Sequence, residues 1–277
     1  MMRTIVLCAD DYAYTAPISR AILELAGRRR ISALSCMTAS PHWPEHGRWL
    51  KDAQPNVDIG LHMTLVDEVP LTKMPRTAPG GRLPDIATLI RRSYLGLLDL
   101  AEIEGEIRAQ KLAFESVMGF PPRHVDGHLH THVLPGIRNL VLDMVRTLSP
   151  QPWVRSIHER YATIIRRGIA VPKAALLSAL GHRLVRAAGS MQVAMNDSFS
   201  GVYAFSPENT NYGAMFEKFV GSARGRHLIL CHPGEATDTA AHASLRGGEY
   251  AFLKSSALLE ILARHDLKIG RFGEIAP

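Results

Sequence analysis

Nearly continuous apolar runs that stop abruptly at an acid or a histidine recur along this chain. Residues 4–9 form one such run, ended by Asp10 and Asp11, and predict a buried parallel strand with two carboxylates at its C-terminal end. Residues 33–38 predict a second strand. Residues 57–65 predict a third, with His62 set in it, and residues 226–231 a last clear one that runs into His232, Pro233 and Gly234. Between these runs the apolar spacing becomes helical over 17–30, 41–52, 86–98, 101–118, 134–148, 209–220 and 249–265. Residues 153–157 predict a further short strand, and 196–203 an irregular stretch in which 197–201 form a loop at the rim of a site. Strands alternating with helices imply an α/β fold, with a parallel sheet that gathers polar groups at its C-terminal edge.

The densest chemistry lies in residues 124–132, where His124, Asp126, His128, His130 and His132 follow a Pro121-Pro122 turn. In an extended chain His128, His130 and His132 point to one side. At a strand end that opens into a loop, one or two of them can grip a metal while the others lie beside a substrate.

Other features narrow the picture. Residues 66–84 are rich in Pro, Gly, Thr and charge without helix or strand period, which reads as a lid loop over a site. The formal net charge of +6 is concentrated in residues 151–190, where Arg155, Arg160, Arg166, Arg167, Lys173, Arg183 and Arg186 face one acid, Glu159. This segment reads as a basic helical insertion, about 155–190, with a solvated face. It lacks the interleaved aromatics of a nucleic-acid surface. Cys8, Cys36 and Cys231 are scattered and without CxxC spacing, so buried reduced thiols and a cytoplasmic location are expected. No apolar run suggests a leader or an integral membrane segment. His42 and His46 read as surface or substrate-rim residues. The 277 residues suit one domain.

Asp10, Asp11, His62, Asp126, His128, His130, His132 and His232 thus collect at predicted strand ends. Two histidines and one carboxylate leave positions open on a divalent cation, as a hydrolytic metal requires. A second carboxylate is then free to act as base and a histidine to protonate the leaving group. A phosphoesterase, a non-sugar amidase, or a non-catalytic metal- or sugar-binding module are the rival readings. A cysteine nucleophile at Cys231 is poorer, because neighbours along a strand face opposite sides.

Asp10-Asp11-Tyr12, the stretch 60–65 around His62, the stretch 126–132 and Cys231-His232-Pro233-Gly234 together resemble the YdjC-like carbohydrate deacetylase family, which includes chitooligosaccharide deacetylases and deacetylases of hopanoid synthesis. The resemblance implies an irregular (β/α) TIM-like barrel. It implies hydrolysis of the N-acetyl group of an acetylated amino sugar, chitooligosaccharide-like or glycolipid-linked. By motif, Asp11, His62 and His128 would hold one divalent metal, Mg2+ or Zn2+. Asp10 would be the base and His232 the acid or transition-state partner, with Asp126, His130 and His132 lining or supporting the site. A homodimer is also implied. Where many members carry Phe-Gly after the paired acids, this chain has Tyr12 and Ala13.

Overall fold

The computed structural model describes residues 2–206, 211–239 and 242–275. Its centre is β1 (Arg3–Tyr12), whose residues from Ile5 onward are all buried. A strand with apolar side chains on both faces needs cover on both, and parallel strands supply it through crossover helices. β1 pairs with β2 (Ala33–Cys36) and with β7 (His227–Cys231), and β2 continues to β3 (Asp58–Met63), β4 (His124–Gly127) and β5 (Trp153–Val154). On the other side β7 pairs with β6 (Ser198–Ser200), while β8 (Leu267–Ile269) joins the start of β1. Every pairing is parallel. The edge strands β5 and β6 approach through one bridge, Val154 with Met195, so the sheet curls into an irregular, incompletely closed (β/α) barrel.

The helices obey the expected local rules. α1 (Ala16–Gly27) is capped by Thr15 and α4 (Leu100–Met118) by Asp99, each side chain accepting a backbone N–H of the first turn. α4 ends on Gly119 in the left-handed conformation, φ 79°. α2 (Trp43–Ala53), α3 (Ile86–Tyr94), α5 (Ile137–Arg146) and α8 (Tyr212–Val220) lie within the predicted spans or one residue beyond them; residues 209 and 210 of the span 209–220 lie outside the described residues.

Three expectations are corrected. The helix predicted over 249–265 is two, α9 (Ala243–Lys254) and α10 (Ser256–Arg264), because Ser255 is extended and its hydroxyl donates to Phe252 O, closing α9. Residues 198–200 of the predicted rim loop are strand β6. In the basic segment 151–190, which folds after β5 into α6 (Tyr161–Arg167) and α7 (Val171–Ser190), Arg155 and Arg167 are buried rather than solvated.

Residues 66–84 have no helix or strand, as the pattern predicts, but they are fastened to α4. Glu106 accepts from Leu71 N, Thr72 N and Thr72 Oγ1 at 3.0, 2.9 and 2.8 Å, and Glu102 from Arg76 N and Thr77 N. Met74, Ala78 and Leu83 are buried beneath.

Candidate metal and catalytic centre

Parallel strands place their C-terminal ends on one rim, and here β1, β3, β4 and β7 bring Asp10, Asp11, His62, Asp126 and His232 together. Register does the alignment: His62 pairs with Asp126 across β3 and β4, and Ala9 with Cys231 across β1 and β7. β1 twists out of regular form as it arrives. Asp11 and Ala13 both hold positive φ, 69° and 74°, a conformation strained for residues with a Cβ, so adjacent acids diverge. A glycine would adopt φ 74° without strain, which makes Ala13 the costlier residue at that turn.

β4 ends at Gly127 and the chain turns at once into a short 3-10 segment, His128–Val133, in which Leu129 and His130 are left-handed. The three alternating histidines therefore do not share one side. His128 reaches Asp11, Nδ1 to Oδ1 3.0 Å. His132 turns inward to Arg155 O, 3.0 Å, and supports the loop. His130 meets the ring of Phe199 edge-on.

Asp11, His62 and His128 offer ligand atoms that all lie within 4.8 Å of one another, and all three line a cleft of about 480 Å³. Asp126 Oδ1 accepts from His62 Nδ1 at 2.6 Å, which leaves Nε2 aimed at Asp11 Oδ1, 3.3 Å away. An imidazole nitrogen so oriented by a carboxylate is the usual arrangement of a ligating histidine. Two electron-rich atoms at that distance need a proton or a metal ion between them. With the protein groups alone a proton fills that place: burial presses His62 toward its neutral form, but Asp126, Asp10 and the hydrogen bonds lift its pKa to about 10. Burial raises Asp11 as well, yet Arg246 and the two histidines outweigh it and hold its carboxyl well below the usual range. The residues present thus fit a divalent metal.

Two further clusters, Cys8–His124–Asp126 and Asp10–His62–Asp126, have similar convergence, but their cation is already built in. Arg155 Nη2 lies 2.5 Å from Asp126 Oδ2, 2.6 Å from Asp10 Oδ1 and 3.1 Å from Cys8 Sγ, while Nη1 meets Asp10 Oδ2 at 2.6 Å. The fork fixes Asp10 rigidly. Ser35 Oγ donates to Asp126 Oδ2 at 2.7 Å and meets His124 Nε2 at 2.9 Å. His124 is held near Gly60, where an added Cβ would lie 2.2 Å from its ring.

His232 Nε2 stands 4.0 Å from Asp10 Oδ2. Burial pulls its pKa down to about 4 against the attraction of Asp11 and Asp10, so it is neutral at ordinary pH. Its backbone N–H donates to Glu249 Oε2 at 2.7 Å. Arg246, on the same α9, donates to Asp11 Oδ2 at 2.6 Å.

Every strand-end residue of the predicted constellation is thereby placed, with Asp126 and His132 behind the cleft wall. His46, expected at the surface or rim, is buried instead, its Nδ1 2.9 Å from Ser19 Oγ and its carbonyl accepting from Tyr12. No residue of 66–84 lines the cleft, whose walls come from α3 and α7. Three contributors escaped the sequence reading: Arg155, Arg246 and Glu249. Arg155 carried a signal, since it follows a short apolar run as the other strand-end residues do. Arg246 and Glu249 sit mid-helix and carried none.

A family model described as YdjC-like protein matches residues 4–264. Chitooligosaccharide deacetylases of Yersinia pestis (strain Pestoides F) and Yersinia pseudotuberculosis are each 33% identical over 150 residues, 54% of this chain and 58% of theirs. The match therefore spans little more than half the length of these relatives. A crystal structure from Enterococcus faecalis, provisionally assigned to cellobiose-phosphate cleavage, superposes with a TM-score of 0.72 over 99% of both chains at 18% identity, a likeness of fold.

Proposed function

We propose that this chain, which belongs to the YdjC-like protein family, is a metal-dependent hydrolase that removes the acetyl group of an N-acetylated amino sugar. The observation that carries the reading is the meeting of the Asp11, His62 and His128 ligand set with Asp10 and His232 at one cleft. A divalent ion held by those three residues supplies the Lewis acidity that polarises an amide carbonyl and acidifies water. Two imidazoles and one carboxylate favour zinc or another transition ion over magnesium, which prefers oxygen.

The chain's own groups divide the proton work. Asp10, clamped by Arg155, takes the proton of the attacking water. His232, neutral at rest and 4.0 Å from Asp10, receives that proton from Asp10 and hands it on to the departing amine nitrogen, so the amide C–N bond breaks to give acetate and the free amino sugar. Arg246 and Asp126 orient Asp11 and His62. The names of the Yersinia relatives support the acetylated sugar as substrate class.

The test is acetate release from di-N-acetylchitobiose and other N-acetyl sugars by metal-stripped protein with single metals restored. Turnover is expected only with metal. Asp10→Asn is expected to retain the metal and to lose activity by about a hundred- to ten-thousand-fold. Full activity in that variant, or release that ignores chelation, would overturn the reading.

A further inference from the structure

Above the acids and histidines the cleft is apolar. α7 lays Ser178, Gly181, Leu184 and Ala188 on the barrel, with Gly181 so close that an added Cβ would lie 2.8 Å from His158 N. That leaves Lys173, Leu176, Leu177 and Leu180 turned into the cleft, at the three- and four-residue spacing of one helix face. Opposite, α3 presents Ile86 and Ile90, and Tyr94 continues that face one turn on. Leu129, left-handed at φ 49°, completes the mouth. Leu176 is 62% exposed, Tyr94 49%, Leu129 48% and Ile90 36%. Large apolar side chains grouped around one opening differ from the single exposed ones any surface carries.

The charge on the helices of this face is mainly positive, Asp143 of α5 being the one acid among α3, α5, α6 and α7. α3, α6 and α7 carry no Asp or Glu, and besides the buried Arg167 they carry Arg91, Arg92, Arg166, Lys173, Arg183 and Arg186. Arg138 of α5 lies near both Arg183 and Tyr94, which joins α3, α5 and α7 into one surface. The flanking acids are engaged: Asp85 caps α3, Asp99 caps α4, and Glu159 pairs with Arg167 and Arg224.

We propose that this face seats the protein on an anionic lipid bilayer, the apolar mouth entering the headgroup boundary and the cations meeting the headgroups. No described helix is long and apolar enough to cross a membrane, so the contact is peripheral, and the cleft opens onto the lipid surface. The attachment is independent of which bond the centre hydrolyses.

Flotation of the metal-loaded full chain with vesicles of phosphatidylcholine, with and without phosphatidylglycerol, tests it. Binding is expected to the phosphatidylglycerol vesicles and to weaken with salt. Arg183→Gln is expected to weaken it roughly fivefold, and Leu176→Glu or Leu129→Glu roughly tenfold or more. Leu259→Glu, on the exposed face of α10, should leave it unchanged. These substitutions are at exposed positions, and circular dichroism confirms that each variant is folded. Failure to float with anionic vesicles, equal binding to neutral ones, or unaltered binding by the Leu176 and Leu129 variants would overturn the proposal. So would a dimer that Leu176→Glu dissolves, which would make the face a contact between copies.

Discussion

Arg155 shows how much one side chain can decide. Its guanidinium is wholly buried between Asp10 and Asp126, and a buried charge network is costly to break because the partners are left uncompensated. Arg155→Met should lower stability by about 3–5 kcal/mol, measured by urea unfolding. Gly60 carries a steric constraint of the opposite kind. A Cβ would overlap the His124 ring, itself stacked on Trp153 at 4.4 Å, so Gly60→Ala should cost about 1–3 kcal/mol by overpacking, visible in the same assay. Gly60 opens the motif around His62, but its reason for being glycine lies in a residue 64 positions away, which no local pattern reveals.

At the scale of elements, legibility followed length and edge chemistry. β1, β3 and β7 could be read because each apolar run carries or ends on an acid or histidine, and β4 because its histidines and Asp126 crowd after a Pro-Pro turn. β5, β6 and β8 have only two or three residues, too few to show a period, and β8 was missed altogether. α9 could be located only in part, yet it holds two working residues. Glu249 is fully buried; burial raises its pKa to about 7, against the hydrogen bonds from Tyr203 and His232 N. The unfolded carboxyl ionises near 4.5, so the folded state binds the extra proton between those values and stability falls as pH rises from 4.5 to 7. Glu249→Gln should flatten that fall in urea titrations across the window; an unchanged slope would contradict it. The segment 66–84 depends similarly on α4. Glu106→Ala removes its acceptor for Leu71, Thr72 and Gln110 and should release the segment to faster hydrogen exchange and proteolysis.

At the scale of the whole molecule, the proposed ligand set draws on segments far apart in the chain. Asp11 comes from β1, His62 from β3, and His128 from the turn after β4, so an ion held by this proposed set would bind the folded chain and not its separated parts. A metal at a hundred times its Kd should stabilise the protein by about 2.7 kcal/mol, and His62→Ala should abolish the shift in Tm that the ion produces. The order of strands carries one further consequence, in time rather than space. β1 is made first but lies in the middle of the sheet, and Leu7 pairs with Ile229, more than two hundred residues later. At ribosomal rates the first strand waits roughly 10–40 s for that neighbour. For that interval an apolar edge stands open to other nascent chains, and any pause in translation before β7 prolongs the exposure.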